Sequence, residues 1–235
     1  MELNTETITT PPADAATVVL LRDTDAGLQV LLLRRHQASN VLGGAYVFPG
    51  GKLDAADQSP ALLSRLSQDS QQLHTRLAEP DLPPAQAAGL FVAAIREAFE
   101  ECRVLLGQAE NGSADLLALQ ASLKSGQSWA EALQDHALRL QTDALVPWTR
   151  WITPRQASVT NKRFDTRFFI TQIPPNQTAQ HDDHETTETL WIGPREALLR
   201  YWDRDIELAP PQIMSLVHLS RHTHAHSVLA EAQSR

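Results

Sequence analysis

Cysteine is almost absent from this chain. Cys102 stands alone among 235 residues, so an intramolecular disulfide framework is excluded, and a reducing compartment suits the composition. Positive charge is also short: 20 Lys and Arg against 28 Asp and Glu give a formal charge of −8. That balance argues against general binding to a nucleic acid polymer, whose affinity comes mainly from cations on phosphates. No apolar run approaches the ~20 residues of a membrane-spanning helix. The first residues, through Pro12, are polar and Thr-rich, without the basic-then-apolar layout of a signal peptide. The terminal Gln233-Ser234-Arg235 differs from a Ser-Lys-Leu type of address. No internal repeat is visible. These absences predict a soluble, cytoplasmic protein with neither a membrane nor a nucleic acid polymer as partner, whose 42% hydrophobic content supports the core of one larger domain.

Against that background Arg96-Glu97-Ala98-Phe99-Glu100-Glu101 stands out. Phe91, Ala94, Ile95, Ala98, Cys102 and Leu105 fall on one stripe of a helix, which makes Cys102 a core residue. Glu97, Glu100 and Glu101 share another sector. Carboxylates at i, i+3 and i+4 repel one another, and a hard cation such as Mg²⁺, which takes oxygen ligands, removes that cost. A solvated acidic helix face is the other reading. Upstream, Phe48-Pro49-Gly50-Gly51-Lys52 follows a short run that reads as a strand end, and paired glycines allow a turn or a close approach that side chains would block.

Together these two segments resemble the Nudix box, in which Gly, five residues, Glu and seven residues precede Arg-Glu-apolar-x-Glu-Glu-x-Gly-apolar. Gly51 takes the first position, and Ala98 and Val104 the apolar ones. Asp57 replaces the first Glu, Arg103 replaces the last Gly, and 38 residues separate Asp57 from Arg96 in place of seven. A box split in this way is similar to a Nudix subgroup of peroxisomal coenzyme A diphosphatases and bacterial relatives. Trp151-Ile152-Thr153-Pro154, Arg163-Phe164-Asp165-Thr166-Arg167-Phe168-Phe169 and Trp191-Ile192-x-Pro194-x-Glu196-Ala197-Leu198 carry the resemblance onward.

The resemblance implies an α/β (α+β) Nudix fold, a mixed sheet sandwiched between helices, with Mg²⁺ or Mn²⁺ as cofactor. It also implies hydrolysis of a diphosphate bond in a nucleoside diphosphate derivative. In this subgroup that is coenzyme A or an acyl-coenzyme A, giving adenosine 3′,5′-bisphosphate and (acyl-)4′-phosphopantetheine. ADP-ribose or NADH is the enzymatic alternative, and a Nudix-fold module that binds nucleotide without turnover is the non-enzymatic one. By the same resemblance Glu97, Glu100 and Glu101 hold metal, and Arg96 pairs with an acidic loop residue, here Asp57. A homodimer is a further expectation.

Along the chain, residues 1–15 read as a flexible segment, 16–222 as one domain and 223–235 as a tail. Thr17 to Arg22 and Leu28 to Arg35 form a hairpin about a turn-rich Asp23-Thr24-Asp25-Ala26-Gly27. Residues 58–85 form a helical insertion within the box, expected to pack beside the site and shape substrate choice. Pro84 suits the first turn of the acidic helix. A second helical insertion covers 113–140, with a capping box at Ser128-x-x-Glu131. Strands follow at 145–152, 163–173 and 189–192, then helices from Pro194 and after Pro210-Pro211.

Further candidates lie outside the box. The polar loop 174–188 carries acids of which Glu185, then Glu188, is the best second ligand or general base, with a solvated loop as the alternative. Arg34 and Arg35 could meet phosphates, whose geometry Arg matches, although strand alternation lets only one of them do so. Gly50 and Gly51 belong to the substrate-binding turn. His218, His222, His224 and His226 suggest a transition-metal site. The acid that a zinc peptidase would need beside them is missing from the local sequence, and an exposed tail helix is the simpler reading.

Overall fold

A computed structural model describes residues 7–39, 42–156 and 162–234. The hairpin of β1 (Ala13–Thr24) and β2 (Gly27–Arg35) forms as the two apolar runs and the turn between them predict, with Gly27 at φ +105° in the turn, a conformation that favours glycine. The two strands pair only near the turn, from Leu21↔Val30 to Thr24↔Gly27. Beyond it they splay, and the chain threads between them. Strand β3 (Tyr46–Val47) pairs with Leu33 and Arg34 of β2, and β4 (Gly50–Lys52) pairs with Ala15 to Thr17 of β1. The free edge of β1 runs parallel to β8 (Phe164–Gln172), on which β7 (Val146–Ile152) lies antiparallel. Strand β9 (Thr186–Ile192) covers the far edge of β2 and completes a seven-stranded mixed sheet.

Successive strand side chains point to opposite faces, and β1 shows the consequence. Ala16, Val18 and Leu20 pack with the long helix α3 (Pro84–Cys102), while Val19 and Leu21 join α7 (Pro210–Leu219) and α8 (Ala225–Gln233) on the other face. The sheet is therefore sandwiched between helices, as expected. Helix α6 (Pro194–Trp202) also begins where its proline predicts. Among the described residues no helix is long and apolar enough to cross a membrane.

Three segments fill in what the sequence outlines. The box insertion folds as α1 (Pro60–Leu63) and α2 (Ser70–Leu77), capped by Ser59 and Asp69. Their Leu62, Leu73 and Leu77 pack into the α3 core, and no residue of 58–85 lines the candidate cleft described below. The insertion thus buttresses α3 through these leucines. Residues 113–140 yield α4 (Leu116–Lys124) and α5 (Trp129–Asp135), the latter with the expected capping box. Helix then gives way to β6 (Leu138–Leu140), paired with β5 (Gly107–Ala109) in a second, two-stranded sheet. Ala137 at φ 49° ends the helical path, and Leu138 and Leu140 are buried around an exposed Arg139, a period of two. Finally, 223–235 is no loose tail: Ala225, Val228 and Ala232 give α8 an apolar stripe that docks on the sheet.

Candidate active site

Helix α3 carries its apolar stripe into the core and lays Glu97 and Glu101 along β4. A carboxylate oxygen of Glu101 accepts the Gly50 N–H at 2.9 Å. A Cβ at Gly51 would stand 2.2 Å from Glu97 Oε1, and one at Gly50 would stand 2.5 Å from the carbonyl oxygen of Ala16. Both glycines are thus required by close approach, one to a carboxylate and one to the backbone of β1.

Arg96 spends its guanidinium on fixing this arrangement. It forks onto Asp57 at 2.9 and 3.1 Å, donates to the Lys52 carbonyl at 2.9 Å, and donates from Nη1 to Glu97 at 2.8 Å and Glu100 at 3.0 Å. The shorter Asp therefore reaches. Asp57, 1% exposed, also accepts the Asp54 N–H at 2.9 Å, which closes the turn after β4. Although burial works against its charge, Arg96 is held more firmly protonated than usual by Asp57 and Glu97. Trp129, from the second insertion, donates its indole N–H to Glu100 at 2.9 Å.

Burial pushes the Glu97 carboxyl up to about 7, against the pull of Arg96 and with added repulsion from Glu100. Glu101, fully enclosed, is pushed well above the usual carboxylate range by burial and by Glu97, with the Gly50 N–H opposing. Glu185 adds to the upward push on both. Its loop is organised rather than merely solvated: Asp182 accepts the backbone N–H groups of His184, Glu185 and Thr186 at 3.2, 3.1 and 2.9 Å. The Glu185 carbonyl accepts the His36 N–H at 2.8 Å. Carboxylate oxygens suit a hard divalent cation, and the negative charge of the buried Glu97 and Glu101, which repel each other, is costly without one.

Gly50, Gly51, Arg96, Glu97, Glu100 and Glu185 border a cleft of about 600 Å³ that Arg35, Lys162, Asp54, Gln212 and Phe164 also line. A second cleft of about 540 Å³ lies around Trp148 and Arg76 and holds no comparable group of acids. Strand alternation separates the two candidate arginines, since Arg35 faces the first cleft while Arg34 lies with Tyr46 in a smaller pocket elsewhere. Glu188 goes with Arg34: it accepts the Tyr46 hydroxyl at 2.8 Å and stands 3.8 Å from Arg34. The structure thus brings Gly50, Gly51, Arg35, Arg96, Glu97, Glu100, Glu101 and Glu185 together, and leaves Arg34 and Glu188 apart. Lys162, Phe164 and Trp129 were missed. Phe164 lies in a segment that the resemblance marked, whereas no spacing ties Trp129 to Glu100. Cys102 is buried, its thiol donating to the Ala98 carbonyl at 3.0 Å and its pKa pushed up by burial, as a core residue.

The family model of the NUDT19 Nudix domain matches residues 9–219. A Gallus gallus protein named acyl-coenzyme A diphosphatase NUDT19 is 31% identical over 231 residues, spanning 81% of this chain and 61% of its own. Its Homo sapiens namesake is 30% identical, spanning 83% of this chain and 61% of its own. The chain thus spans about three fifths of the length of these curated relatives. The crystal structure of a Nudix hydrolase from Alicyclobacillus acidocaldarius superposes with a TM-score of 0.74 at 28% identity, covering 94% of this chain and 97% of that one. With the split box assembled around Arg96 and the family model spanning nearly the whole sheet and its helices, the chain belongs to the NUDT19 Nudix domain family of Nudix hydrolases.

Proposed function

We propose that this protein hydrolyses the diphosphate bond of coenzyme A or an acyl-coenzyme A, releasing adenosine 3′,5′-bisphosphate and (acyl-)4′-phosphopantetheine. The observation that carries the reading is a cleft in which Glu97, Glu100 and Glu185 stand with Gly50, Gly51, Arg35 and Lys162, while the buried Glu101 accepts the Gly50 N–H. Nudix hydrolases generally use divalent metal ions. Glu97, Glu100 and Glu101 would hold Mg²⁺ or Mn²⁺, which supplies Lewis-acid polarisation of a phosphoryl oxygen and a more acidic water.

The chain's own residues do the rest. Gly50 N–H fixes the Glu101 carboxylate, and Arg96, locked by Asp57, orients Glu97 and Glu100. Arg35 and Lys162 would counter the negative charge of the diphosphate and the 3′-phosphate. Glu185, on its Asp182-braced turn, is the group best situated to take a proton from the attacking water. The names of the curated relatives support the acyl-coenzyme A substrate.

Parallel assays of coenzyme A, acyl-coenzyme A, ADP-ribose and NADH, each with Mg²⁺ and with Mn²⁺, test the substrate. Cleavage of coenzyme A esters to the two named products is expected. Glu101→Gln, which keeps shape but loses a charge, should lower turnover by orders of magnitude with the fold intact. Much faster cleavage of ADP-ribose would overturn the substrate. Nucleotide binding without any metal-dependent product would overturn the enzyme.

A further inference from the structure

The C-terminal histidines find in three dimensions the acid that the local sequence lacks. His218 and His222, one turn apart on and just beyond α7, face Glu231 of α8. His218 Nε2 lies 3.0 Å from one carboxylate oxygen and His222 Nε2 lies 3.0 Å from the other. One ligand atom from each residue falls within a sphere of mutual distances no larger than 4.8 Å. In a tetrahedral zinc site with bonds near 2.0–2.1 Å, neighbouring ligand atoms are about 3.3 Å apart. The three groups are therefore already close to coordination spacing.

The hydrogen-bond pattern around His222 points the same way. Ser227 Oγ donates its one proton to the His224 carbonyl at 2.8 Å, so at 3.0 Å from His222 Nδ1 it acts as acceptor. The ring then carries its proton on Nδ1, and Nε2 turns a lone pair toward Glu231. That nitrogen is sheltered from solvent and makes no hydrogen bond of acceptable geometry, even though the carboxylate is 3.0 Å away. A cation between the buried His222 Nε2 and the Glu231 carboxylate would satisfy that nitrogen. A ring N–H anchored on a neighbouring oxygen is the outer support that metal-binding imidazoles usually have. The His218 and His222 rings stack nearly parallel at 6.1 Å between centroids, with the edge of Trp148 closing one side.

We propose that His218, His222 and Glu231 bind one transition-metal dication of the zinc class, clamping α8 to the end of α7. Two imidazoles and a carboxylate suit zinc or cobalt better than magnesium, which prefers oxygen and water. The site is separate from the acidic cleft and does not depend on the proposed reaction. Its fourth position is left for water or another small ligand.

Cobalt is the probe. Full-length protein, freed of metal and saturated with Mg²⁺ to fill the acidic cleft, is titrated with Co²⁺. One equivalent should bind with the strong visible absorption of a four-coordinate ion, and His222→Gln and Glu231→Gln should each abolish that absorption. His226→Gln, at an exposed neighbour, should keep it. Hydrogen exchange on the unsubstituted protein gives a readout independent of any variant: one equivalent of Zn²⁺ should slow exchange in α8 and the end of α7. Absence of Mg²⁺-resistant Co²⁺ binding, persistence of the absorption in both variants, or zinc protection located elsewhere would each overturn the proposal.

Discussion

Gly51→Ala isolates the acidic cleft from the fold. Gly51 has no positive φ, so alanine is compatible with its backbone, and what it meets is the end of a side chain: Glu97 Oε1 at 2.2 Å, Cδ at 2.5 Å and Oε2 at 2.8 Å. Ordinary contact begins at 3.4 Å, so the carboxylate must retreat by about 1.2 Å. A shift of about 1 Å in a reacting constellation costs on the order of 10²-fold in rate. A Gly→Ala change at a compatible site is otherwise neutral or stabilising by about 0.4–1 kcal/mol through the unfolded chain. Turnover and Mg²⁺ affinity should therefore drop about 10²-fold while the denaturation midpoint holds or rises. Gly50→Ala provides the contrast, because its Cβ would meet the backbone of β1, Ala16 O at 2.5 Å and Thr17 Cα at 2.7 Å, which cannot swing aside. That variant should lose stability first. Full activity in Gly51→Ala, or equal destabilisation by both changes, would refute the account of why the two glycines are there.

Asp57→Asn removes the charge that the buried Arg96 faces while leaving a similar shape. Breaking one side of a buried pair costs about 3–5 kcal/mol, so urea denaturation should show a large loss. Restoration of stability and of Mg²⁺ affinity by Asp57→Glu would tie the effect to the ion pair. For pH, Glu97 sits at about 7 and Glu101 well above the usual range in the metal-free site. Groups raised on folding favour the folded state below their unfolded pKa, and that contribution is lost as pH rises through the folded value. In chelator these two acids should therefore lower the thermal midpoint between about pH 5 and 7. Mg²⁺, which needs them ionised, should raise the midpoint more at pH 8 than at pH 6. A midpoint shift independent of pH would refute the placement of these acids at the metal.

Most of the sheet and helix α3 was legible because periodicity and turn chemistry act locally. The β1–β2 hairpin, Pro84 at the start of α3 and the Ser128–Glu131 cap each follow from a few neighbouring residues. Contacts across the chain were not legible. Nothing near Trp129 says that its indole will reach Glu100, and Glu231 stands nine residues beyond His222 with no local sign that α8 turns it back. Spacing ranks Glu185 before Glu188 without fixing either, whereas β9 points Glu188 at Tyr46 and the loop turns Glu185 toward the cleft. Arg103 is a third case: it ends α3 at φ 59°, the left-handed conformation for which the box pattern keeps a glycine. The pattern's glycine thus serves helix termination, a role that Arg103 fills under some backbone strain while donating to Gln180 at 2.6 Å.

The split box also bears on how the site comes into being. Closing a loop of 38 residues between Asp57 and Arg96, in place of seven, costs about 1.5 kcal/mol more in chain entropy. Burial of Leu73 and Leu77, about 1.5–3 kcal/mol each, works against this cost. The Arg96–Asp57 pair joins residues far apart in sequence, and the packing of α2 on α3 holds together the two ends of that loop. Excising the insertion would shorten the loop but strip apolar partners from α3, and a protein relieved of an entropic burden would be left with an unsupported central helix.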